Sequence, residues 1–204
     1  MIDLGPIGAS AIGEAPTQLQ NSTNAVALSV STLIIPEKSL VVAEQKVAEG
    51  RLVSSTSIIW TEIVNRLAAD WSLAQQLTPR QWEEMVAGAF KNAGYDKVTL
   101  TPPSGDYGRD VIAEKNGVGC VKILGSVKAY APGKLVPYDA IRALVGVINT
   151  DHSVSKGIIT TTSDFPPNVE QDPSIAPHLP TRLELMNGKR LQEWLTSLTS
   201  SSSS

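Results

Sequence analysis

Two short stretches of this chain hold residue types that could together do phosphoryl chemistry. In Asp106-Tyr107-Gly108-Arg109-Asp110, the second aspartate opens a run, Val111-Ile112-Ala113, that reads as a strand. Over 121–129, Lys122, Leu124, Ser126 and Lys128 alternate with Val121, Ile123, Gly125 and Val127, so Ser126 and Lys128 share a face. If the two strands pair as a hairpin, Asp110 approaches that face from its neighbour. A carboxylate beside a lysine at a strand end suits hydrolysis of a phosphodiester. The acid can hold Mg²⁺, which polarises a phosphoryl oxygen and acidifies a bound water, and the ammonium offsets charge on the phosphorane. The spacing alone is better explained by a cross-strand Asp–Lys ion pair, worth under ~1 kcal/mol if exposed.

The elements around these stretches form an α/β series. Thr78-Pro79-Arg80-Gln81 is a helix start with a Thr cap, proline at the first helical position and a glutamine able to close a capping box. Trp82, Met85, Val86, Ala89 and Phe90 supply the apolar face, and Asn92-Ala93-Gly94 the stop. Strands are expected over 97–101, 109–114 and 121–129, the last two joined by a tight turn at Asn116-Gly117. A helix over 137–149 places Ile141, Leu144, Val145 and Ile148 inward; strands follow over 157–162 and 182–186, and Asn187-Gly188 turns into a final helix. Before this series, 24–35 and 39–43 read as strands. Trp60, Ile63, Val64, Leu67, Trp71 and Ala74 mark one helix over about 57–76. Its tryptophans are packing anchors rather than a stacking platform. The serines of 199–204 read as a disordered tail.

Composition narrows the function classes. The chain has 204 residues, 42% hydrophobic and 18% charged, enough for a real core. A net charge of −3 means that any nucleic-acid contact must come from a local basic surface. With Cys120 the single cysteine, neither an intrachain disulfide nor a cysteine-based zinc site can form. His152 and His178 fall in loop-like segments and read as solvent-facing. Met1-Ile2-Asp3 has no basic start of a signal peptide, and no apolar run reaches the roughly 20 residues needed to span a bilayer. A soluble, cytoplasmic protein with no membrane association is the expectation. Thr160-Thr161-Thr162 could offer hydroxyls to phosphates, and Tyr130 a ring to a base; a β-branched strand and simple packing account for them as well.

Several stretches, in order, resemble the catalytic domain of Mrr-like restriction endonucleases, members of the PD-(D/E)XK nuclease superfamily. They are Leu77-Thr78-Pro79-Arg80-Gln81-Trp82-Glu83-Glu84-Met85-Val86, Ala93-Gly94-Tyr95 and 104–112 with Asp106 and Asp110. They continue with Ser126-Val127-Lys128-Ala129-Tyr130, 143–146, 156–162 and 184–188. The resemblance implies a mixed central sheet flanked by helices with an αβββαβ core over 77–198. Residues 1–76 become an N-terminal extension of strands and a helix with no assigned role.

It also implies roles. Asp110 matches the metal-binding aspartate, Lys128 the catalytic lysine and Glu83 the first-helix glutamate that often completes the metal shell, with Glu84 its rival. Asp106 matches an acidic loop position that a turn-capping aspartate explains equally well. The residue two before the lysine is usually Glu or Gln in the family, and here it is Ser126, a poor Mg²⁺ ligand. The resemblance makes Asp139, at the start of the next helix, a candidate replacement ligand. Lys122, Lys134 and Arg142, with Lys115 and Lys156, are candidates for DNA phosphate contacts. The implied activity is a Mg²⁺-dependent DNA endonuclease, with Mn²⁺ able to substitute, in prokaryotic restriction or anti-phage defence. Its alternative is a catalytically impaired DNA-binding or assembly subunit. Double-strand cleavage makes a homodimer plausible, and residues 1–76 could engage a protein partner.

Overall fold

A computed structural model describes residues 32–33, 39–43, 45–103 and 108–200, all within one unit spanning 31–204. The expected strand over 24–35 lies outside the described residues except for 32–33, which form no strand. The expected strand over 39–43 is reduced to β1 (Val41–Val42), which pairs antiparallel with β4 (Ser55–Thr56). Between them, β2 (Gln45–Val47) and β3 (Gly50–Leu52) form a hairpin. This hairpin joins the main sheet, because β3 pairs antiparallel with β5 (Lys97–Leu100).

The helix expected over 57–76 is two elements. Helix α1 (Ile58–Ala69) is capped by Ser57, and a 3-10 turn covers Trp71–Gln76. Asp70 separates them in an extended conformation, its carboxylate accepting the Ser72 N–H at 3.0 Å. That local bond gives the backbone an alternative to continuing the helix. Helix α2 (Pro79–Asn92) starts on the expected box, with Thr78 N–H donating to Gln81 Oε1 and Gln81 N–H to Thr78 Oγ1.

From α2 the chain runs through β5, β6 (Val111–Lys115), β7 (Val121–Lys128), α3 (Tyr138–Thr150), β8 (Lys156–Thr161), β9 (Leu183–Met186) and α4 (Gly188–Ser200). The order α2-β5-β6-β7-α3-β8 is the expected αβββαβ core. The seven-stranded sheet has the order β2-β3-β5-β6-β7-β8-β9, antiparallel up to β7 and parallel from β7 to β9. The turn between β6 and β7 is wider than the Asn116-Gly117 hairpin expected. Pairing closes at Lys115↔Val121, and Asp96 Oδ2 takes the Asn116 N–H at 2.7 Å, drawing Asn116 off the ladder. The last helix runs two residues into the expected tail. Hydroxyls of Thr196, Ser197 and Thr199 bond carbonyls one turn back, while 201–204 lie outside the described residues.

The two faces of the sheet have separate cores. Val111, Ala113, Ile123, Val127 and Ile158 face α2, with α1 and α4 in the same cluster. Ile112, Leu124 and Ile159 face Ile141, Leu144 and Ile148 of α3. The alternation of β6 and β7 thus feeds both cores, the pattern of a sheet covered on both sides. Residues 39–76, outside the stretch that carries the family resemblance, are built into the first core. Trp60 is fully buried under α2 and donates to Met85 O at 3.0 Å, and Gln192 Nε2 of α4 donates to Leu67 O at 2.8 Å. Among the described residues, no helix is long and apolar enough to cross a membrane.

Candidate active site

The junction between β6 and β7 is where Asp110 is placed. Val111 pairs with Gly125 in the β6–β7 ladder, yet the Asp110 N–H also donates to Gly125 O at 2.9 Å, one residue out of register. A one-residue offset of this kind re-aims the side chain that precedes it. The next β7 N–H facing β6 belongs to Val127, and Asp110 Oδ2 accepts it at 2.5 Å. The carboxylate, 6% exposed, therefore lies against the residue between Ser126 and Lys128. On its other side, the Thr101 N–H donates to Asp110 O at 3.1 Å, and the Thr101 hydroxyl bonds the carbonyls of both Arg109 and Asp110.

Ser126 and Lys128 line an open cleft of ≈ 220 Å³ with Gly108 and with Ala140, Ala143 and Leu144 of α3. The small side chains of α3 leave this space above the strand. The exit of β7 is fixed by Thr162, whose hydroxyl accepts from the Tyr130 N–H at 2.8 Å and donates to Tyr130 O at 2.7 Å. Thr161 and Thr160 bond the carbonyls of Lys128 and Ser126. All three hydroxyls are thus engaged by the sheet itself, as the β-branched-strand reading has it. Tyr130 packs against the α3-side core and carries Lys134 over its ring at 4.5 Å.

The remaining expected ligands are dispersed. Glu83 is bonded to Arg80 at 2.6 Å, and Arg80 also donates to Thr101 O at 2.9 Å. Glu83 is thus linked to Asp110 through Arg80 and Thr101. Its rival Glu84 accepts the Leu40 N–H at 2.7 Å and ties α2 to the N-terminal segment. Asp139 is on the first turn of α3 as expected, 96% exposed, with Arg142 at 3.6 Å. Among the described residues, no three His, Cys, Asp or Glu side chains converge as a metal cluster. Asp106 lies outside the described residues.

The expected phosphate contacts separate as well. Lys122 is the second residue of the strand that Lys128 ends, roughly 20 Å from it at ~3.3 Å per residue. There it stands opposite Glu114 and reaches Ser153, well away from the cleft. Lys156 enters β8 at the same far end, paired with Glu184 at 2.6 Å, and Lys115 bonds Gly94 O there. Arg142 is held by Asp172 at 2.7 Å, and that carboxyl lies below its ordinary range because Ser174 and then Arg142 donate to it. Lys134 is exposed near the cleft end of β7. Arg80 and Thr101 were not singled out from the sequence. The one local signal, Arg80 three residues before Glu83 on a helix, is common on exposed helix faces.

No curated protein matches the chain. Among solved structures, the chain is similar to the MspJI restriction endonuclease in complex with a 27-mer oligonucleotide, at 17% identity and TM-score 0.45 over 72% of this chain and 36% of that one. It is also similar to the DNA modification-dependent restriction endonuclease AspBHI, at 16% identity and TM-score 0.45 over 72% of this chain and 41% of that one. The chain thus spans well under half the length of either. The sequence model of the restriction endonuclease family Mrr_cat matches residues 74–195, more than half of the chain and all of the αβββαβ core, and the chain belongs to that family.

Proposed function

We propose that this protein is a Mg²⁺-dependent DNA endonuclease in which Asp110 and Lys128 carry the reaction, serving prokaryotic restriction or anti-phage defence. The observation that carries the proposal is the offset at Asp110, which delivers a buried carboxylate to the backbone between Ser126 and Lys128 beside an open cleft. A structural ion pair needs no such departure from the ladder. The donor set fits Mg²⁺, which is commonly held by one or two carboxylates, waters and substrate phosphates rather than by an all-protein cage. Asp110 would hold it, with Asp139 or Glu83 joining only after side-chain movement. When bound, the metal supplies Lewis acidity and a water of lowered pKa.

The chain's own contributions follow from the geometry. The Val127 N–H and the Thr101 hydroxyl fix Asp110, so its orientation is set before substrate arrives. The Lys128 ammonium, at the strand end, faces the cleft where a phosphate would sit and offsets charge developing on its oxygens. Cutting both strands of a duplex would need two such sites, which a homodimer provides.

Incubating plasmid DNA with Mg²⁺ or Mn²⁺ tests the proposal. Cleavage is expected, with loss of at least 100-fold in rate in both Asp110→Ala and Lys128→Ala. Cleavage that survives both substitutions would overturn the assignment. A second reading, a subunit that binds DNA without turnover, draws on Ser126 and on the dispersed carboxylates. It predicts DNA retention without cleavage, unchanged in Asp110→Ala.

A further inference from the structure

The β2–β3 hairpin carries an arrangement that works against its own stability. Its register sets Lys46 directly opposite Arg51. Side chains so placed share a face with Cβ atoms about 5 Å apart, and like charges there are destabilising. Both are exposed, and among the described residues no carboxylate, Glu49 of the intervening turn included, lies within ion-pair distance of either. Other strand cations are neutralised: Lys97 pairs with Glu114 at 2.9 Å and Lys156 with Glu184 at 2.6 Å.

The pair also lines a built space. Lys46, Arg51 and Arg80 line a cleft of ≈ 490 Å³ whose remaining walls include Gly50, Thr101 and Pro102-Pro103. Gly50 is required there, since at φ +153° a Cβ would lie 2.3 Å from Leu100 O. The charge of Arg80 is offset by Glu83, so the uncompensated charge comes from Lys46 and Arg51. Thr101, in the wall, is the residue that holds the carbonyl of Asp110. In a chain of net charge −3, this is a local basic site beside the proposed reaction centre.

We infer that Lys46 and Arg51 grip the phosphodiester backbone of the DNA that is cut at Asp110. This rests on the nuclease reading above. The ligand class follows from two exposed, unpaired cations lining an open cleft that reaches Thr101, the residue bonded to Asp110. Arg51 on β3 and Lys46 on β2 share the α2 face of the sheet with Leu100 and Val111, two and three strands from β6, while Ser126 and Lys128 open on the α3 face. Both residues precede the family-matched 74–195, so this contact belongs to the part of the chain that the family resemblance leaves without a role.

The test is duplex binding by fluorescence anisotropy in EDTA, with no cleavage, across a salt series. Lys46→Gln/Arg51→Gln should bind about tenfold or more weakly at low salt, and log K against log salt should become shallower by about two. Its melting temperature should equal or exceed that of the wild type, because a repulsion has been removed. Wild-type affinity and slope in the double variant overturn the inference alone, while a wild-type chain that does not bind duplex at low salt removes the nuclease reading with it. A marked fall in melting temperature would assign the pair a structural role and also overturn it. A variant that loses binding to polyglutamate but keeps DNA binding would give the cleft to an acidic protein instead.

Discussion

At the scale of residues, Ser126 stands where the family resemblance leads one to expect Glu or Gln. It is 2% exposed, yet its side of β7 opens on a cleft roofed by Ala140 and Ala143, so a longer acid has somewhere to go. Ser126→Glu is therefore expected to add a metal ligand rather than a clash. The Mg²⁺ concentration for half-maximal cleavage should fall by roughly tenfold, since added ligand charge tightens a hard-cation site. A slower enzyme with an unchanged metal requirement would show that another carboxylate already occupies the space. Asp110 and Lys128 were legible in the sequence because each lies in a short contiguous motif. What holds Asp110 was not legible. The offset at Gly125 and the Thr101 hydroxyl depend on how three strands meet, and no spacing within one strand encodes that. The separation of Lys122 from the cleft was available from strand length, because six residues of extended chain take it to the far end of the sheet.

At the scale of elements, the seat of α2 on Trp60 is a tight contact between the N-terminal segment and the family core. A Cβ on Gly88 would lie 2.5 Å from Trp60 Nε1, the atom that donates to Met85 O. Gly88→Ala should therefore destabilise the protein by about 1–3 kcal/mol, despite the better helix propensity of alanine. A thermal melt reads this directly, and a variant as stable as the wild type would show that Trp60 can shift. Capping signals such as Thr78 and Gln81 could be read in advance because both partners lie within one turn. The break at Asp70 could not, since Trp71 and Ala74 continue the apolar period through it. The β2–β3 hairpin was also hidden. Its strands are short and polar, and their partner β5 lies some 45 residues later in the chain.

At the scale of the molecule, Glu184 joins three elements by bonding Lys156 of β8 and Arg190 of α4 from its place on β9. Burial raises its pKa, but the hydrogen bond and charge of Lys156, followed by those of Arg190, outweigh burial and leave it below 4.5. A carboxyl lowered on folding stabilises the fold above its unfolded pKa, and that stabilisation is lost as pH falls through the folded value. Glu184→Gln should thus cost about 1–2 kcal/mol at neutral pH, with the gap to wild type closing as pH drops below 4.5. A gap that stays constant with pH would deny the linkage.

The seating of β3 against β5 and of Trp60 beneath α2 bears on how the catalytic fragment can be isolated. A chain trimmed to the family-matched start at 74 would bare the backbone of β5 along a whole edge and open a tryptophan-sized hollow under its first helix. An exposed strand edge beside a hollow core is a template for self-association. Such a fragment should precipitate or form sheet-extended oligomers, and a lack of activity in it would report on its solubility rather than on its chemistry.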